Sequence, residues 1–568
     1  MMPSVRSAAT RVQQSYLVGV FSTVARTFHP VGLAFAVLFF AWSMSPSLLP
    51  RPWFLQALAT GISMAIGYGV GRLLAWLTLH LGFAPRWSAH ARIAGWTILS
   101  LTAAVTIPTF TILGARWQDI VRDIVGTQRD GGHFYLLVVF LAFTVAITLV
   151  FSGRALRWLS NRITHLGTRF VPTHTARLAS IALLFTFVVF VVDGAAQRVI
   201  VNVAERSAAA VDVDTAPGVT APIYPERSGS RHSAQAWNTL GNQGRSFVAG
   251  GPTWRNIEIA TGQPAMTPIR VYAGRDSGPT FDDVAALVVD ELERTGAFDR
   301  SVLAVATATG SGWVNPNVAA ALEFVTGGDS AIASMQYSYL PSPVSFIADR
   351  ETPQQAGRAL FDAVYERWSS KPIDSRPALV VFGESLGSYG GQAAFSGGYE
   401  MLAKVDGALW SGTPNFTEQW QLITASRDAN SRQARPIIAS GDHIRFAAQP
   451  ADVRGAGLAA EWRSPRIVYW QHSSDPIVWW NSELIHTRPE WLNKPLAPGI
   501  DPNLQWVPFV TFWQITADMV FSIDVPSGHG HSYGPEAAYL WADILDGITD
   551  KKLSPEQLDR VHAAIGRR

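Results

Sequence analysis

The chain has 568 residues, long enough for more than one domain, and only 15% of them are charged, with a mean hydropathy of +0.14. It contains no cysteine and carries a formal net charge of +2, which excludes disulfide and thiol chemistry and leaves no electrostatic footprint for nucleic acid. The charge deficit sits in the N-terminal third, so a membrane-embedded part is expected ahead of a water-soluble one.

Five N-terminal stretches lack Asp, Glu, Lys and Arg altogether: 30–50, 53–71, 93–115, 133–152 and 178–192. Most approach the roughly 20 residues needed to cross a hydrocarbon core, so five transmembrane helices are expected, with Pro108 tolerated inside the third. Gly67, Gly69 and Gly71 mimic a dinucleotide loop only by letters; in a membrane span small residues serve helix packing.

Arginine placement gives the orientation. Arg6, Arg11 and Arg26 precede the first stretch, Arg72, Arg86 and Arg92 follow the second, and Arg154, Arg157, Arg162, Arg169 and Arg177 follow the fourth. The opposite side shows Arg51 and then Arg116, Arg122 and Arg129, the latter diluted by Asp119, Asp123 and Asp130. The richer side is expected to be cytoplasmic, which places everything after residue 192 on the extracytoplasmic face. The 153–177 segment reads as an amphipathic helix along the inner interface, and no early apolar stretch ends in a signal-peptidase pattern.

Residues 1–200 are therefore expected to form a membrane domain and 201–265, with Pro217, Pro222, Pro225 and Gly229, a connector. Residues 266–568 are expected to form the catalytic domain, because β and α patterns alternate there. Strands are expected at 269–273, 301–307, 331–337, 378–382 and 466–470, and helices at 280–295, 317–324, 353–369 and 535–544. The sheet should be mostly parallel, with helices on both faces.

The apolar run ending at Phe382 leads into Gly383-Glu384-Ser385-Leu386-Gly387 and then a small-residue helix, the strand–turn–helix context of a nucleophile elbow. Ser385 is the candidate nucleophile, and the Leu386 N–H, at a helix start, is a candidate oxyanion donor. A second donor is expected from Gly310, Ser311 or Gly312, after the strand at 301–307; Ser311 lacks the elbow context of a nucleophile. Acid and base should follow in the order Ser, Asp, His. Asp475 lies just past the 466–470 strand and is preferred over Asp442, which no strand precedes, and Asp524, which crowds the histidines. Two Gly-His pairs stand in Gly528-His529-Gly530-His531, and His529 is favoured as base for its standoff from the last helix, with His531 the alternative. H-x-H without a third ligand of suitable spacing makes no metal site, and no cofactor is expected.

Gly383–Gly387, Asp475-Pro476, the 528–533 segment and the apolar N-terminal stretches together resemble the bacterial membrane-anchored α/β-hydrolases common in actinomycetes. The resemblance implies an N-terminal helical transmembrane bundle followed by an α/β-hydrolase fold with a Ser–His–Asp triad. Long insertions, 412–464 and 475–529, depart from a minimal hydrolase and are expected as caps over the pocket. They carry Trp420, Trp462, Trp479, Trp480, Trp491, Trp506 and Trp513, which beside a membrane suggest an acyl pocket or interface contact. The expected function is an outward-facing serine ester hydrolase, or acyltransferase, acting on lipid or cell-envelope acyl esters. The bilayer and the acyl ester are its expected partners. A peptidase or amidase using the same triad, or a silent hydrolase-fold scaffold, are the alternatives.

Overall fold

Runs such as Val302-Leu303-Ala304-Val305-Ala306 are buried on both faces, as a parallel sheet covered by helices requires. The computed structural model describes residues 27–83, 87–129, 134–189, 197–342, 344–345, 349–455 and 458–568. Arg6, Arg11, Arg26, Arg86, Asp130 and the end of the fifth apolar stretch lie outside them. The chain divides into two units: 1–185 with 482–492 and 500–518, and 186–481 with 493–499 and 519–568.

The second unit holds a seven-stranded sheet of β1 (Ile269–Ala273), β2 (Val302–Thr307), β3 (Ser330–Met335), β4 (Ala378–Glu384), β5 (Gly407–Ser411), β6 (Ile444–Ala447) and β7 (Arg466–Trp470). Every pairing is parallel, in the order β1-β3-β2-β4-β5-β7-β6. Helices Phe281–Thr295, Glu351–Ser369 and Leu386–Gln392 pack together in one layer. Pro316–Val325, Ala537–Leu545 and Pro555–Gly566 form another. The Phe281–Thr295 helix starts at a Thr280/Asp283 capping box and stops at left-handed Gly296, so its ends are set locally.

One expectation changes here. The 412–464 insertion is not simply a cap, because it contributes β6, which pairs with β7 at the sheet edge. The 201–265 segment packs in part on the hydrolase-fold unit. Leu240, Phe247 and Val248 join the main core, and the buried Arg227 guanidinium donates to the carbonyls of Val248 (3.0 Å) and Pro252 (2.7 Å). Beside it, Arg270 and Glu323 form a buried bidentate pair, both bonds 2.7 Å.

Among the described residues of the first unit, three helices are long and apolar enough to cross a membrane: Trp53–His80, Ala89–Ile124, which runs through Pro108, and Tyr135–Gly167. The 30–50 stretch instead contains a 14-residue helix, Pro30–Ser43, and Thr173–Val189 is a 17-residue helix. The interfacial helix expected at 153–177 is absent as a separate element, since Tyr135–Gly167 continues unbroken through its first half. Small residues let these helices approach. A side chain at Gly67 would strike Phe35 and Phe39, one at Gly71 the Val31 backbone, and one at Gly61 Val145.

A buried polar knot lies at one place in this unit. Asp518, on the Val510–Met519 helix, accepts from the Ser47 hydroxyl and from the backbone N–H of Leu48 (3.0 Å) and Leu49 (3.3 Å). Arg51 Nε lies 3.5 Å from its other oxygen, and both side chains are fully buried. Gln514 donates to the carbonyls of Ser43 (3.2 Å) and Ser45 (3.0 Å). Stretch 500–518 thus folds with the first unit, against the expectation that the whole 475–529 insertion caps the hydrolase pocket.

Removing Asp518 strands a buried guanidinium and three donors, so Asp518→Ala should destabilise the full chain by about 3–5 kcal/mol. Asp518→Asn, which keeps an acceptor oxygen, should cost less. Thermal unfolding in detergent checks both; an Asp518→Ala protein as stable as the parent would show that the knot contributes nothing.

Candidate active site

β4 delivers Ser385 at φ 55°, ψ −121°, a conformation that non-glycine residues avoid and that the surroundings must impose. The imposing contacts are backbone ones. Ser385 N–H donates to Ser411 O at the end of β5 (3.0 Å), and Tyr389 N–H closes the next turn on Ser385 O (3.0 Å). A Cβ at Gly383 would lie 2.5 Å from Gly387, and one at Gly387 would lie 2.2 Å from Thr307 O. Both glycines are required by close approach, as the motif implies. Leu386 opens the following helix, so its N–H has no partner in the helical ladder.

Asp475 follows β7 and is completely buried, and three donors reach its carboxylate. Ile477 N–H donates to Oδ1 (2.9 Å), while His531 Nδ1 and the Tyr533 hydroxyl both approach Oδ2 at 2.7 Å. The carboxylate therefore pairs with His531 and not with His529, which the spacing had favoured. The reason is the conformation of two glycines. Gly528 and Gly530 both have positive φ, and Gly530 is clamped on both sides. Its N–H donates to Ser474 Oγ (3.0 Å) and its carbonyl meets His472 Nδ1 (2.9 Å). The clamp delivers the next residue, His531, onto Asp475. His529 lines a separate cleft of about 630 Å³ with His472 and Glu536.

His531 also comes near the elbow. A Cβ at Gly412, next to the Ser411 carbonyl that holds Ser385, would lie 2.4 Å from His531 Cε1. His531 Nε2 is buried with no hydrogen-bond partner among the described residues, which suits a ring nitrogen reserved for a reacting proton. Burial works to lower the His531 pKa, but the pull and hydrogen bond of Asp475, with a further pull from Glu384, hold it above the ordinary imidazole value. His472 behaves oppositely: burial pushes it down to about 4, so it stays neutral as a clamp.

Sequence reasoning missed Glu384, Tyr533 and Asn315. Glu384 is the variable residue of the elbow, and burial pushes its carboxyl up to about 7. Asn315 Nδ2 donates both to it and to the Tyr533 carbonyl (2.9 Å), linking the elbow to the histidine loop. A charged residue beside the elbow serine was the available signal for Glu384. Asn315 is marked locally only as the N-cap ahead of Pro316, and its bonds to Glu384 and Tyr533, like those of Tyr533 to Asp475, span distant stretches of chain.

The 308–313 loop follows β2, with the Thr307 and Ala308 carbonyls packed under Gly387. Gly312 N–H is consumed by Thr309 O (2.9 Å), which removes it as an oxyanion donor; the Gly310 and Ser311 N–H groups make no such bond among the described residues. Three of the seven tryptophans fall into two groups. Trp420 and Trp479 are core residues, packed edge to face at 6.3 Å. Trp480 packs against Leu386, Tyr389 and Ile477 with Phe416 and Met519, an apolar wall that includes the elbow itself.

A family model described as alpha/beta-hydrolase family matches residues 269–561, and one described as the N-terminus of an alpha/beta-hydrolase family matches 44–252. No curated protein and no solved structure matches the chain.

The negative charge of Glu384 stabilises the His531 imidazolium, so Glu384→Gln should lower the His531 pKa. A histidine-selective NMR titration of the full chain should show its midpoint moving to lower pH in the variant. A midpoint that stays put or rises would mean that Glu384 does not act on the ring.

Proposed function

The chain belongs to the α/β-hydrolase family, and on that premise we propose that it is a serine hydrolase of acyl esters using Ser385, His531 and Asp475. One observation carries the reading: a strained elbow serine shares a sheet edge with a buried Asp475–His531 pair at 2.7 Å. Ser385 Oγ attacks the ester carbonyl while His531 Nε2 takes its proton and then gives it to the departing alcohol. Asp475 fixes the Nδ1–H tautomer, and Tyr533 and Ile477 hold Asp475. The Leu386 N–H and an amide from Gly310 or Ser311 receive the oxyanion. Water or another alcohol then releases the acyl group.

The apolar wall of Leu386, Tyr389, Phe416, Ile477 and Trp480 supports an acyl chain in the substrate. Each methylene buried there adds about 0.8 kcal/mol. The proposal extends to place. The apolar helices cross a membrane with the arginine-rich side cytoplasmic, and the 17-residue Thr173–Val189 helix, about 26 Å long, makes the last crossing. The hydrolase unit then lies on the extracytoplasmic side, in reach of lipid or envelope esters.

A fluorophosphonate probe should label Ser385 as its major site, and Ser385→Ala should abolish labelling and turnover while leaving the fold intact. His531→Ala should match that loss, typically several orders of magnitude, whereas His529→Ala should cost about tenfold or less. The reverse ranking would transfer the base to His529. Turnover of p-nitrophenyl esters should rise from acetate to medium-length chains, with amides poor; strict acetate preference would refute the acyl wall. A reporter active only in cytoplasm, fused after Arg568, should stay dark, and activity there would mean that Thr173–Val189 does not cross.

A further inference from the structure

The first unit contains a cleft of about 690 Å³, remote in function from the elbow, where three arginines converge without a counter-charge among the described residues. Arg72 comes from the Trp53–His80 helix, and Arg154 and Arg157 come from Tyr135–Gly167. Among the described residues, no Asp or Glu lines it and no ion pair involves any of the three. Like charges gathered in a partly closed, partly apolar space repel, and the arrangement is stable only where an anion or water relieves it.

The cleft is also built. Arg154 donates to Thr27 O (2.6 Å) and to the Tyr68 hydroxyl (3.1 Å), and its guanidinium lies 4.8 Å from the Phe28 ring centre. One cation is thereby fixed as the floor, while Arg72 and Arg157 are exposed at the rim. The Pro30–Ser43 helix begins here, its start uncapped by the His29 side chain, and His29 Nδ1 is buried without a partner among the described residues. Uncapped N–H groups and a positive helix end favour an anion. Room for it is kept by Gly69 and Gly153, where an added Cβ would meet nothing within 4 Å. Leu149 and Val150 give the cleft an apolar side.

We propose that this cleft binds a phosphate-type anion, and that its apolar side and its position on membrane-length helices suit a phospholipid headgroup with the acyl chains along Leu149 and Val150. The guanidiniums of Arg72 and Arg157 close on the phosphate oxygens over the fixed Arg154, as paired forks suit. The ligand is distinct from the ester substrate, and the proposal stands whether or not Ser385 is a nucleophile.

The test uses the purified full chain in detergent, with dioctanoyl phosphatidylglycerol, dioctanoyl phosphatidylcholine and inorganic phosphate as probes, and thermal protection as readout. Phosphatidylglycerol should protect and phosphatidylcholine should not. The Arg72→Gln/Arg157→Gln double variant should weaken that protection about tenfold or more in half-effective concentration. Gly153→Leu, which fills the space, keeps every charge and favours the helix, should do the same. Arg162→Gln/Arg169→Gln, on the same basic side but outside the cleft, should bind as the parent does. Equal protection by inorganic phosphate would uphold the anion site and assign it to a soluble phosphate. Equal weakening by both arginine pairs, or no effect of Gly153→Leu, would overturn the proposal in favour of diffuse attraction to a basic surface.

Discussion

Three donors on one buried carboxylate organise the hydrolase-fold unit of the molecule. Ile477, His531 and Tyr533 reach Asp475 from two stretches of chain, and each bond is charge-assisted in a site without solvent. A carboxylate buried without these donors would be expelled or protonated. The polypeptide after β7 and the loop before the last helices are therefore compelled to meet there. The tautomer of His531, the seating of Tyr533 against His472 and the approach of the loop to the elbow all follow from that meeting.

The elbow answers a different constraint. Its positive φ at Ser385 is tolerable because β5 holds the Ser385 N–H and because two glycines let β2, β4 and the next helix come within backbone distance. Glu384 adds a second buried carboxyl beside the histidine. With Asp475 it frames His531 between two acids, and both pull its pKa upward.

How much of this was written locally can be judged element by element. The strand–elbow–helix segment was legible because every requirement falls within a short run of residues, and so was Asp475, marked by a strand immediately before it. β5 and β6 were not. Gly407-Ala408-Leu409-Trp410-Ser411 is short and mixed, and Ile444–Ala447 carries Arg445 in its middle. The choice between His529 and His531 depended on the turn set by Gly528 and Gly530 and on clamps from His472 and Ser474, none of which spacing reveals. Most of the tryptophans expected at a pocket mouth proved to need context too: an aromatic-rich insertion reads alike whether it fills a core or walls a site.

The membership of 482–492 and 500–518 in the first unit has a bearing on how the protein can be divided. The polypeptide leaves the hydrolase unit, contributes to the helical one, and returns to supply His531 and the last two helices. No single cut yields two intact pieces. A fragment beginning near residue 200 would carry the Val510–Met519 helix stripped of Ser47, Leu48, Leu49 and Arg51, its buried Asp518 facing no donor. The helical region and the hydrolase are in this sense one heritable object: an exchange between relatives that swaps either at a single junction must also exchange an island in the middle of the other.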